Sequence, residues 1–410
     1  MRASAFKVTG GPEVLRLVDL PDPEPGPGEI LIRVAYAGVN YGEIQHRLGD
    51  FGEPDGETVT GLEASGRVAA LGEGVTGVSI GDPVTAYLPD GGGYAEYAVA
   101  PAAFTFPLAG APAVRLPDGF DGRAGDSDRP QGGFAPVASA LPLPDGFEGR
   151  TSDSDRRPAG FAPSTGGPGL APSAVDRLPD GSDRRPDGLD LRTAGGAALV
   201  LTTAYGVLAG AARIAPGDTV LVHAAAGGVG GAAAQLARAL GATEVYGTVG
   251  TPEKAEYARR SFGYDEVFAR EGFPEAVLAA TSGRGVDIVL DPVGGPTRLA
   301  SFEVLAPFGR LAVYGEAARH PDLQLPVLPI WKNNRTLTGY NIGDLARRAP
   351  ATVRAHGLSA LALAASGAVR IDVTEEYALA DAAEAHRLLG EGRNWGKVVL
   401  AVDQTSPSGV

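Results

Sequence analysis

Residues 219–230 read TVLVHAAAGGVG and are followed by GAAAQLARALGA at 231–242. The first part shows no alternation of apolar and polar residues, which is typical of a buried strand in a parallel sheet. A glycine turn and a helix rich in small residues come next, and no Walker lysine is present. This order predicts a turn that receives the pyrophosphate of a nucleotide at a helix N-terminus. The expected cofactor contacts are Ala226, Gly227, Gly228, Val229 and Gly230.

The chain on both sides of this turn divides into two patterns. From about residue 193 onward, strands such as EVYGTVG and VDIVLDPVGG alternate with helical stretches such as AALVLTTAYGVLAGAARI and TPEKAEYARRSFG. That alternation predicts an α/β fold with a doubly wound parallel sheet over 187–345. Residues 1–107 instead contain short runs rich in Val, Ile, Leu and Tyr, beginning with AFKVT, which predict a mostly β domain of partly open barrel form. Residues 346–403 are expected to return to that first domain, leaving 404–410 as a tail.

Residues 108–186 form a low-complexity insert between these two patterns. LPDGFDGRAGDSDRPQGGFAP at 116–136 returns as LPDGFEGRTSDSDRRPAGFAP at 143–163, with fifteen of 21 positions identical. The stretch 109–185 has no Ile, Tyr, Trp, Lys, Asn or His, so disorder is the expectation, because little apolar surface could offset the ordering entropy. A tolerated linker expansion is the favoured interpretation, and a solenoid or a partner-docking arm is the alternative.

Composition excludes several classes of site. The chain has 410 residues, no cysteine and a net charge of −14. Disulfides, thiolate catalysis and cysteine-ligated metals are therefore excluded, and nucleic-acid binding is disfavoured because it depends on clustered Lys and Arg. No apolar run resembles a leader peptide or a membrane span, so a cytoplasmic protein without membrane contact is expected.

The end of EVYGTVG, the second strand of the α/β part, bears on the choice between NAD and NADP. It reads Gly247-Thr248-Val249-Gly250-Thr251 and carries no acidic residue that would bind the adenosine ribose hydroxyls. Thr248, Gly250, Thr251 and Lys254 are instead expected at a 2′-phosphate, with Arg270 at the end of the next strand as a further contact. These residues favour NADPH, and the alternative is that Lys254 is only an exposed helix residue.

Several motifs together resemble one family. AGVNYGEIQHRLGDF, GLEASGRVAALGEGV, GGYAEY, TTAYGVL, VLVHAAAGGVG, GTVGTPEKAEYAR, GRLAVYGEA and GKVVL occur in the order seen in quinone oxidoreductases, the zinc-free branch of the medium-chain dehydrogenase/reductases. The resemblance covers 1–107 and about 186–403. It implies a GroES-like catalytic domain, a Rossmann domain, NADPH, a cleft between the domains and a homodimer.

The same resemblance bears on zinc. Zinc-dependent relatives carry histidine in a Gly-His-Glu motif and cysteine ligands beside it, whereas this chain has Gly61-Leu62-Glu63 and no cysteine. No Lewis acid is then expected to stabilise an alkoxide, which disfavours alcohol oxidation. Reduction of a quinone or an α,β-unsaturated carbonyl is favoured, since hydrogen bonds can stabilise the resulting phenolate or enolate. No metal site is expected.

The resemblance also suggests catalytic residues. The family's Asn-Tyr pair at the nicotinamide matches Asn40, expected to contact the nicotinamide ribose or substrate oxygen, and Tyr41, which would donate a proton or form a pocket wall. Some relatives have a second tyrosine where this chain has Phe51, so water is an alternative proton source. Further cofactor contacts, each also explicable by turn geometry, match at Thr203, Gly294, Gly315 and Asn394.

The function predicted from the sequence is therefore an NADPH-dependent, zinc-independent oxidoreductase acting on a small-molecule quinone or enone. Two alternatives stay open: an enoyl-thioester reductase of a biosynthetic pathway, and a catalytically weak nucleotide-binding protein. By resemblance, RTLTGYNI at 335–342 would pair with its symmetry mate in a homodimer.

Overall fold

The computed structural model describes residues 1–54, 56–108, 189–320, 324–325 and 327–402. The predicted insert and the predicted tail, apart from a few flanking residues, lie outside the described residues. Within this part of the chain the strands fall into three sheets, and the helices are short. The strand bounds are β1 Arg2–Phe6, β2 Arg16–Asp19, β3 Glu29–Val39, β4 Thr58–Val59, β5 Glu63–Leu71, β6 Pro83–Tyr87, β7 Tyr97–Pro101, β8 Thr105–Pro107, β9 Thr219–His223, β10 Glu244–Val249, β11 Glu266–Ala269, β12 Val286–Asp291, β13 Leu305–Val313, β14 Thr336–Gly339, β15 Val373–Ala378 and β16 Lys397–Ala401.

Helices occur in both the α/β part and the β-rich part of the chain. Their bounds are α1 Tyr41–Arg47, α2 Leu191–Ala194, α3 Ala198–Tyr205, α4 Gly228–Ala239, α5 Pro252–Phe262, α6 Phe273–Ala280, α7 Gly295–Glu303, α8 Val327–Lys332, α9 Ile342–Arg348, α10 Pro350–Ala365 and α11 Ala382–Gly390, with 3-10 turns at Pro12–Val14, Ala102–Phe104 and Leu379–Asp381. Both α5 and α7 have proline within their first two positions, where its missing N–H costs nothing.

The six strands of the predicted nucleotide-binding domain form one parallel sheet in the order β11-β10-β9-β12-β13-β14. All five residues of β9 are buried, as the absence of alternation predicted. The strand order reverses beside β9, because β10 lies on one side of it and β12 on the other. In such sheets the carboxyl ends of the strands at the switch point border the ligand crevice. The α/β fold with a doubly wound sheet is therefore confirmed.

The β-rich part contains a seven-stranded sheet, ordered β15-β16-β3-β5-β6-β8 with β7 also paired to β3, and a three-stranded sheet ordered β2-β1-β4. A bridge between Ala3 and Ala95 connects the two sheets. Strand β16 pairs antiparallel with β3, with Val398 opposite Val39. The last described strand thus completes a sheet that begins near residue 29.

Two local expectations differ from the structure. The first strand is Arg2–Phe6 rather than AFKVT, since the chain leaves the sheet at Lys7. The predicted helix after Ala198 changes to a π-helix over Gly206–Ala211, where Ala212 N donates to Val207 O at 2.8 Å. At Gly206 a Cβ would lie 2.2 Å from the ring of Tyr340, so close packing against that ring accompanies the change of helix type.

Candidate cofactor and substrate site

The glycine turn lies between the buried end of β9 and the first turn of α4. Gly227 N donates to Ala224 O at 3.0 Å, and Gly231 N donates to Gly227 O at 2.8 Å. At Gly230 a Cβ would lie 2.4 Å from Ala224 O and 2.9 Å from Ala225 Cα, so the strand and helix approach each other more closely than any side chain allows. Gly227 is the N-cap, and the first N–H groups of α4 therefore face outward without a capping side chain.

A loop near the end of the chain lies against this turn. Gly396 forms a parallel bridge with Gly227, and its N–H donates to Ala226 O at 2.8 Å. Asn394 precedes Gly396 by two residues and is partly exposed. The structure thus brings the Asn394 segment beside the glycine turn, although nothing in the turn's own sequence indicates that neighbour.

Lys254 and Arg270 lie together beyond the end of β10. Arg270 N donates to Val249 O at 2.8 Å, and a Cβ on Gly250 would lie 3.9 Å from the Arg270 guanidinium. Burial, and then the charge of Arg270, lower the pKa of Lys254. The Lys254 ammonium donates to Gly392 O at 2.5 Å, in the same loop that carries Asn394. Two cations therefore lie at the strand end where the sequence predicts a 2′-phosphate.

Two of the predicted phosphate contacts have other roles in the structure. Thr251 Oγ1 accepts from Lys254 N at 3.4 Å and caps α5. Thr248 is buried, and its hydroxyl lies 2.7 Å from His223 Nδ1. The structure therefore does not bring the Thr248 hydroxyl to the cation pair.

The tautomer of His223 follows from its partners. Burial lowers the pKa of His223 to about 4, so the ring is neutral at pH 7 and carries one N–H. Ser301 Oγ lies 2.8 Å from His223 Nε2 and donates its own hydrogen to Thr297 O at 2.7 Å. Nε2 must then donate to Ser301, and Nδ1 must accept from Thr248. His223 thus joins β9, β10 and α7 through side-chain hydrogen bonds.

Gly294 and Gly315 follow β12 and β13 and meet around one buried ion network. Asp291 Oδ1 accepts from Gly294 N at 2.9 Å, while Asp291 Oδ2 pairs with Arg298 Nε at 2.7 Å. Arg298 also donates to Gly315 O at 2.8 Å and pairs with Glu316 at 2.5 Å. The network fixes both glycine loops at the carboxyl edge of the sheet, next to the end of β9.

Thr203 belongs to α3 and is 8% exposed. The start of this helix is held from the β-rich part, because Leu199 N donates to Glu63 Oε2 at 2.8 Å. A carboxylate at a helix N-terminus also interacts favourably with the helix dipole. Glu63 therefore fixes the position of the helix that carries Thr203.

Asn40 lies at the junction of β3 and α1, and its amide points into the protein. Its Oδ1 accepts from Lys397 Nζ at 2.5 Å. Its Nδ2 donates to Glu63 Oε1 at 3.1 Å and to Glu43 Oε1 at 3.2 Å. Both amide hydrogens are thus used within the protein, and a direct contact with substrate through Nδ2 would require the amide to leave this network.

Lys397, Glu63 and Glu43 complete the surroundings of Asn40 and are all at most 3% exposed. Lys397 Nζ pairs with Glu63 Oε1 at 2.6 Å and donates to Val39 O at 3.0 Å. Glu43 accepts from Asn40 N at 2.7 Å and from Leu62 N at 2.9 Å. Burial raises the pKa of Glu43 to about 7, and the charge of Lys397 acts in the opposite direction.

Tyr41 is the first residue of α1 and reaches the loop that follows β13. Its hydroxyl donates to Ala317 O at 3.1 Å, and burial raises its pKa. Two residues further along that loop, Arg319 pairs with Asp50 at 2.5 Å. Phe51, next to Asp50, is 69% exposed. Tyr41 and Arg319 therefore connect the segment around α1 to the carboxyl edge of the parallel sheet.

Leu62 stands where zinc-dependent relatives have histidine, and its side chain packs in an apolar cluster with Tyr87, Phe104 and Leu199. Among the described residues, no group of three or more His, Asp or Glu side chains is placed to hold a metal ion. Over the same part of the chain, no helix is long and apolar enough to cross a bilayer.

Sequence reasoning did not assign a role to Lys397, Glu43 or Glu63. A signal was available, because the chain has only four lysines in 410 residues and one of them stands within the GKVVL motif. Glu63 belongs to the Gly61-Leu62-Glu63 motif, in which Leu62 is the residue that bears on zinc. What the pattern could not show is that residues 40, 43, 63 and 397 meet.

Comparison with known proteins agrees with this arrangement. A family model described as alcohol dehydrogenase GroES-like domain matches residues 26–110, and one described as zinc-binding dehydrogenase matches 228–356. A quinone oxidoreductase of Pseudomonas aeruginosa is 30% identical over 397 residues, covering 96% of this chain and 98% of that protein. A polyketide synthase of Mycobacterium tuberculosis, described as mycocerosic acid synthase-like, is 27% identical over 94% of this chain, which spans 15% of that longer protein.

Solved structures give the same result. Escherichia coli quinone oxidoreductase complexed with NADPH has a TM-score of 0.70 at 25% identity, covering 98% of this chain and 100% of that chain. A mycobacterial protein complexed with NADPH has a TM-score of 0.73 at 29% identity, with the same coverage of both chains. With its GroES-like and Rossmann parts and this full-length similarity, the chain belongs to the quinone oxidoreductase branch of the medium-chain dehydrogenase/reductase superfamily of oxidoreductases.

Proposed function

We propose that the protein is an NADPH-dependent, zinc-independent reductase of quinones or α,β-unsaturated carbonyl compounds. The observation that carries the proposal is the glycine turn at Gly227–Gly230, with its outward-facing helix N-terminus, followed at the next strand end by Lys254 and Arg270. The NADPH-bound relatives named above support the same cofactor.

The residues present fit this cofactor. Gly227, Gly228 and Gly230 carry no side chain, so a pyrophosphate can reach the N–H groups of Gly228 and Val229. Lys254 and Arg270 supply the charge that a 2′-phosphate requires and that a ribose hydroxyl does not. Gly294, Gly315, Thr203 and Asn394 would hold the rest of the cofactor. When bound, NADPH supplies a hydride.

Zinc independence rests on the donor set of the chain. A catalytic zinc site of the family type uses cysteine and histidine, but the chain has no cysteine and places Leu62 at the histidine position. The oxyanion formed from a quinone or an enone can be stabilised by hydrogen-bond donors instead.

We assign the proton to water rather than to Tyr41. The Tyr41 hydroxyl hydrogen is directed at Ala317 O, and protonation of substrate would require that bond to break. Tyr41 then forms a wall of the site and ties α1 to the sheet edge. Asn40 acts chiefly through its position beside the nicotinamide ribose.

The first test is the loss of NADPH absorbance with 1,4-benzoquinone, trans-2-hexenal and crotonyl-CoA in parallel, with EDTA present and NADH as the control. Turnover of the quinone or the enal with a preference for NADPH is expected. If NADPH binds tightly but none of the three acceptors is reduced, the catalytically weak nucleotide-binding alternative is favoured.

One observation supports a second candidate. The polyketide synthase similarity covers 94% of this chain, which is compatible with an enoyl-thioester reductase. The reaction with crotonyl-CoA in the same experiment decides between the two candidate functions. An enoyl-thioester reductase should reduce crotonyl-CoA with a higher kcat/KM than 1,4-benzoquinone or trans-2-hexenal.

We also propose a homodimer formed through β14 and α8. Strand β14 is the edge of the parallel sheet, and Val327, Leu328 and Trp331 on α8 are each more than half exposed. An open edge beside an apolar surface suits a second copy of the chain. Light scattering should give a dimer for the wild type and a monomer for Trp331→Glu. A wild-type monomer at micromolar concentration would contradict the proposal.

We also propose a cytoplasmic location, which cell fractionation would test.

The domain division 1–107, 187–345 and 346–403 is likewise proposed. Limited proteolysis should cut first between residues 108 and 186, leaving two fragments that stay associated.

A further inference from the structure

One buried side chain reaches from the glycine turn to Asn40. Lys397 is 3% exposed and begins β16, directly after Gly396, which pairs with Gly227. A Cβ on Gly228 would lie 3.3 Å from Lys397 Cδ, and a Cβ on Gly196 would lie 2.6 Å from its Cγ. The methylene stem of Lys397 thus occupies space that these two glycines leave open. Its ammonium continues inward to Val39, Asn40 and Glu63.

The ammonium group is fully used at its inner end. It has three hydrogens and three acceptors: Val39 O at 3.0 Å, Asn40 Oδ1 at 2.5 Å and Glu63 Oε1 at 2.6 Å. None of these contacts involves solvent. A buried lysine with a complete set of partners determines which way the Asn40 amide faces, because its oxygen must point toward the ammonium and its nitrogen toward the carboxylates.

We propose that Lys397 is a positioning residue that links the glycine turn to the catalytic end of the site by fixing Asn40, and through Asn40 the start of α1 with Tyr41. The inference rests on the proposed function for its meaning in catalysis. Lys397 itself would not touch substrate.

Removal of the charge should disturb α1 in a defined way. Without the ammonium, Asn40 Oδ1 loses its charged donor and Glu63 stays buried without its counter-ion, so the orientation of the amide is held only by its bonds to the two carboxylates. Asn40 N donates to the Glu43 carboxylate at 2.7 Å in the capping box of α1, and this helix begins with Tyr41. A displacement of α1 would move the side chains that form the substrate pocket, whereas the glycine turn keeps its own backbone bonds.

The pKa of the Glu43 carboxyl reports on whether the Lys397 ammonium is in place beside Asn40. Lys397 from β16 acts on Glu43 through its charge, and Asn40 and Leu62 N act through hydrogen bonds. Tyr94 also faces Glu43, and the pKa of Tyr94 is raised by burial and by the charges of Glu43 and Glu63. Beyond Tyr94, His386 Nε2 lies 3.1 Å from the Tyr94 hydroxyl, and Arg47 donates to His386 Nδ1 at 3.4 Å. The charge of Lys397 lowers the Glu43 pKa. Its replacement should therefore raise that pKa further.

The experiment compares Lys397→Met, which keeps the stem and removes the charge, with Lys397→Arg and with the control Lys7→Met, a surface lysine that is 65% exposed. For Lys397→Met we expect kcat with the best acceptor to fall about 10- to 100-fold, as small misplacements in an active site can cause. The Kd for NADPH, measured by fluorescence, should change less than about threefold, since the stem and the turn remain. Lys7→Met should match the wild type.

Two further measurements test the role of the Lys397 charge. Infrared titration of the buried Glu43 carboxyl should show a higher pKa in Lys397→Met and a nearly unchanged pKa in Lys397→Arg. If Lys397→Met does not fold, the double variant Lys397→Met with Glu63→Gln removes both charges of the pair and should fold with low kcat.

A folded charge-removing variant with wild-type kcat, or an unchanged Glu43 titration, would overturn the inference. A loss confined to NADPH affinity would overturn it too. If the wild type reduces none of the acceptors, the proposed function fails. The infrared titration and the NADPH Kd then still decide the link between Lys397, Glu43 and the turn.

Discussion

The glycine turn and the Asn40 network form the two ends of one site, but they are constructed in different ways. The turn consists of backbone atoms from one continuous stretch, Ala226–Gly230, and its geometry depends on the absence of side chains. The network consists of side chains from α1 and its N-cap, β5 and β16, and Lys397 reaches the Val39 carbonyl across 358 positions of sequence. The comparison teaches that the turn can be changed locally, whereas a change at any network residue affects several elements at once.

The largest expected effect is on stability and comes from the network. Glu63→Ala leaves Lys397 buried without a counter-ion and Leu199 N without its acceptor. Such a change should lower the free energy of unfolding by about 3–5 kcal/mol, measured by urea denaturation. The matched control is Glu57→Ala, which removes the exposed pair with Lys7 and should cost less than about 1 kcal/mol. Similar losses for the two variants would show that the buried Glu63–Lys397 pair matters no more for stability than the Lys7–Glu57 pair.

The second effect is the pH dependence of stability, which also belongs to the network. Burial raises the Glu43 pKa from 4.5 to about 7, so the folded protein binds this proton more tightly than the unfolded chain does. The contribution of Glu43 to stability is then greatest below pH 4.5 and is lost as the pH rises to about 7, by about 3 kcal/mol in total. His223 acts in the opposite direction, because burial depresses its pKa to about 4 and its contribution is lost as the pH falls.

The contribution of Glu43 to the pH dependence of stability can be measured by comparing the wild type with Glu43→Gln. The difference in unfolding free energy between wild type and Glu43→Gln, followed from pH 5 to pH 8, should decrease steadily with pH and level off above about 7. A difference that rises with pH would show that Glu43 is stabilised in its ionised form.

A change in the turn should produce a different result. Gly230→Ala places a Cβ 2.4 Å from a backbone oxygen that cannot move away cheaply. We expect a loss of about 1–3 kcal/mol in the free energy of NADPH binding, about 10- to 100-fold in Kd by fluorescence titration. Gly343→Ala in α9, away from the turn, is the control, since its Cβ would meet only the Asn341 and Tyr87 side chains at 3.4 Å or more. Equal losses at both positions would show that the strand–helix approach at Gly230 does not limit binding.

The cation pair should have a smaller and more selective effect. Lys254→Gln and Arg270→Gln are each expected to weaken NADPH binding about tenfold, about 1.4 kcal/mol, and to leave NADH binding unchanged. Arg260→Gln, on the last turn of α5, is the control. An equal effect on both nucleotides would place these cations away from the 2′-phosphate.

The smallest effect is expected at Tyr41. Tyr41→Phe removes the hydrogen bond to Ala317 O and should lower the free energy of unfolding by about 1 kcal/mol. With water as the proton source, kcat should fall less than about tenfold, whereas loss of a general acid costs about 10²- to 10⁴-fold. A fall in kcat of about 10²-fold or more would show that Tyr41 donates the proton.

The same contrast explains how much could be predicted from the sequence. The doubly wound sheet and the glycine turn follow from continuous patterns: the unalternating β9, the small residues of α4 and the glycines between them. The position of Lys254 and Arg270 also follows, because consecutive strand ends of a parallel sheet share one edge. These are local rules of the chain.

The interior of the site could not be predicted in the same way. Asn40 matched the family motif, but only the structure shows that its amide faces Lys397 and Glu63. Thr248 was expected at a phosphate, yet its hydroxyl is committed to His223, a pairing that depends on the register of β10 against β9. Contacts between residues far apart in sequence depend on packing, and no periodicity in one sequence specifies them.

The pairing of β16 with β3 has a consequence for synthesis on the ribosome. Glu43 and Glu63 emerge early, but the lysine that pairs with Glu63 is translated more than 300 residues after it. Until then, β3 lacks the neighbour that runs along Val39, and burial of both carboxylates is not offset by the charge of Lys397. The amino-terminal sheet therefore cannot reach its final form during translation and must wait for the carboxyl-terminal strand. A nascent chain that pauses before residue 397 should present an open sheet edge to chaperones.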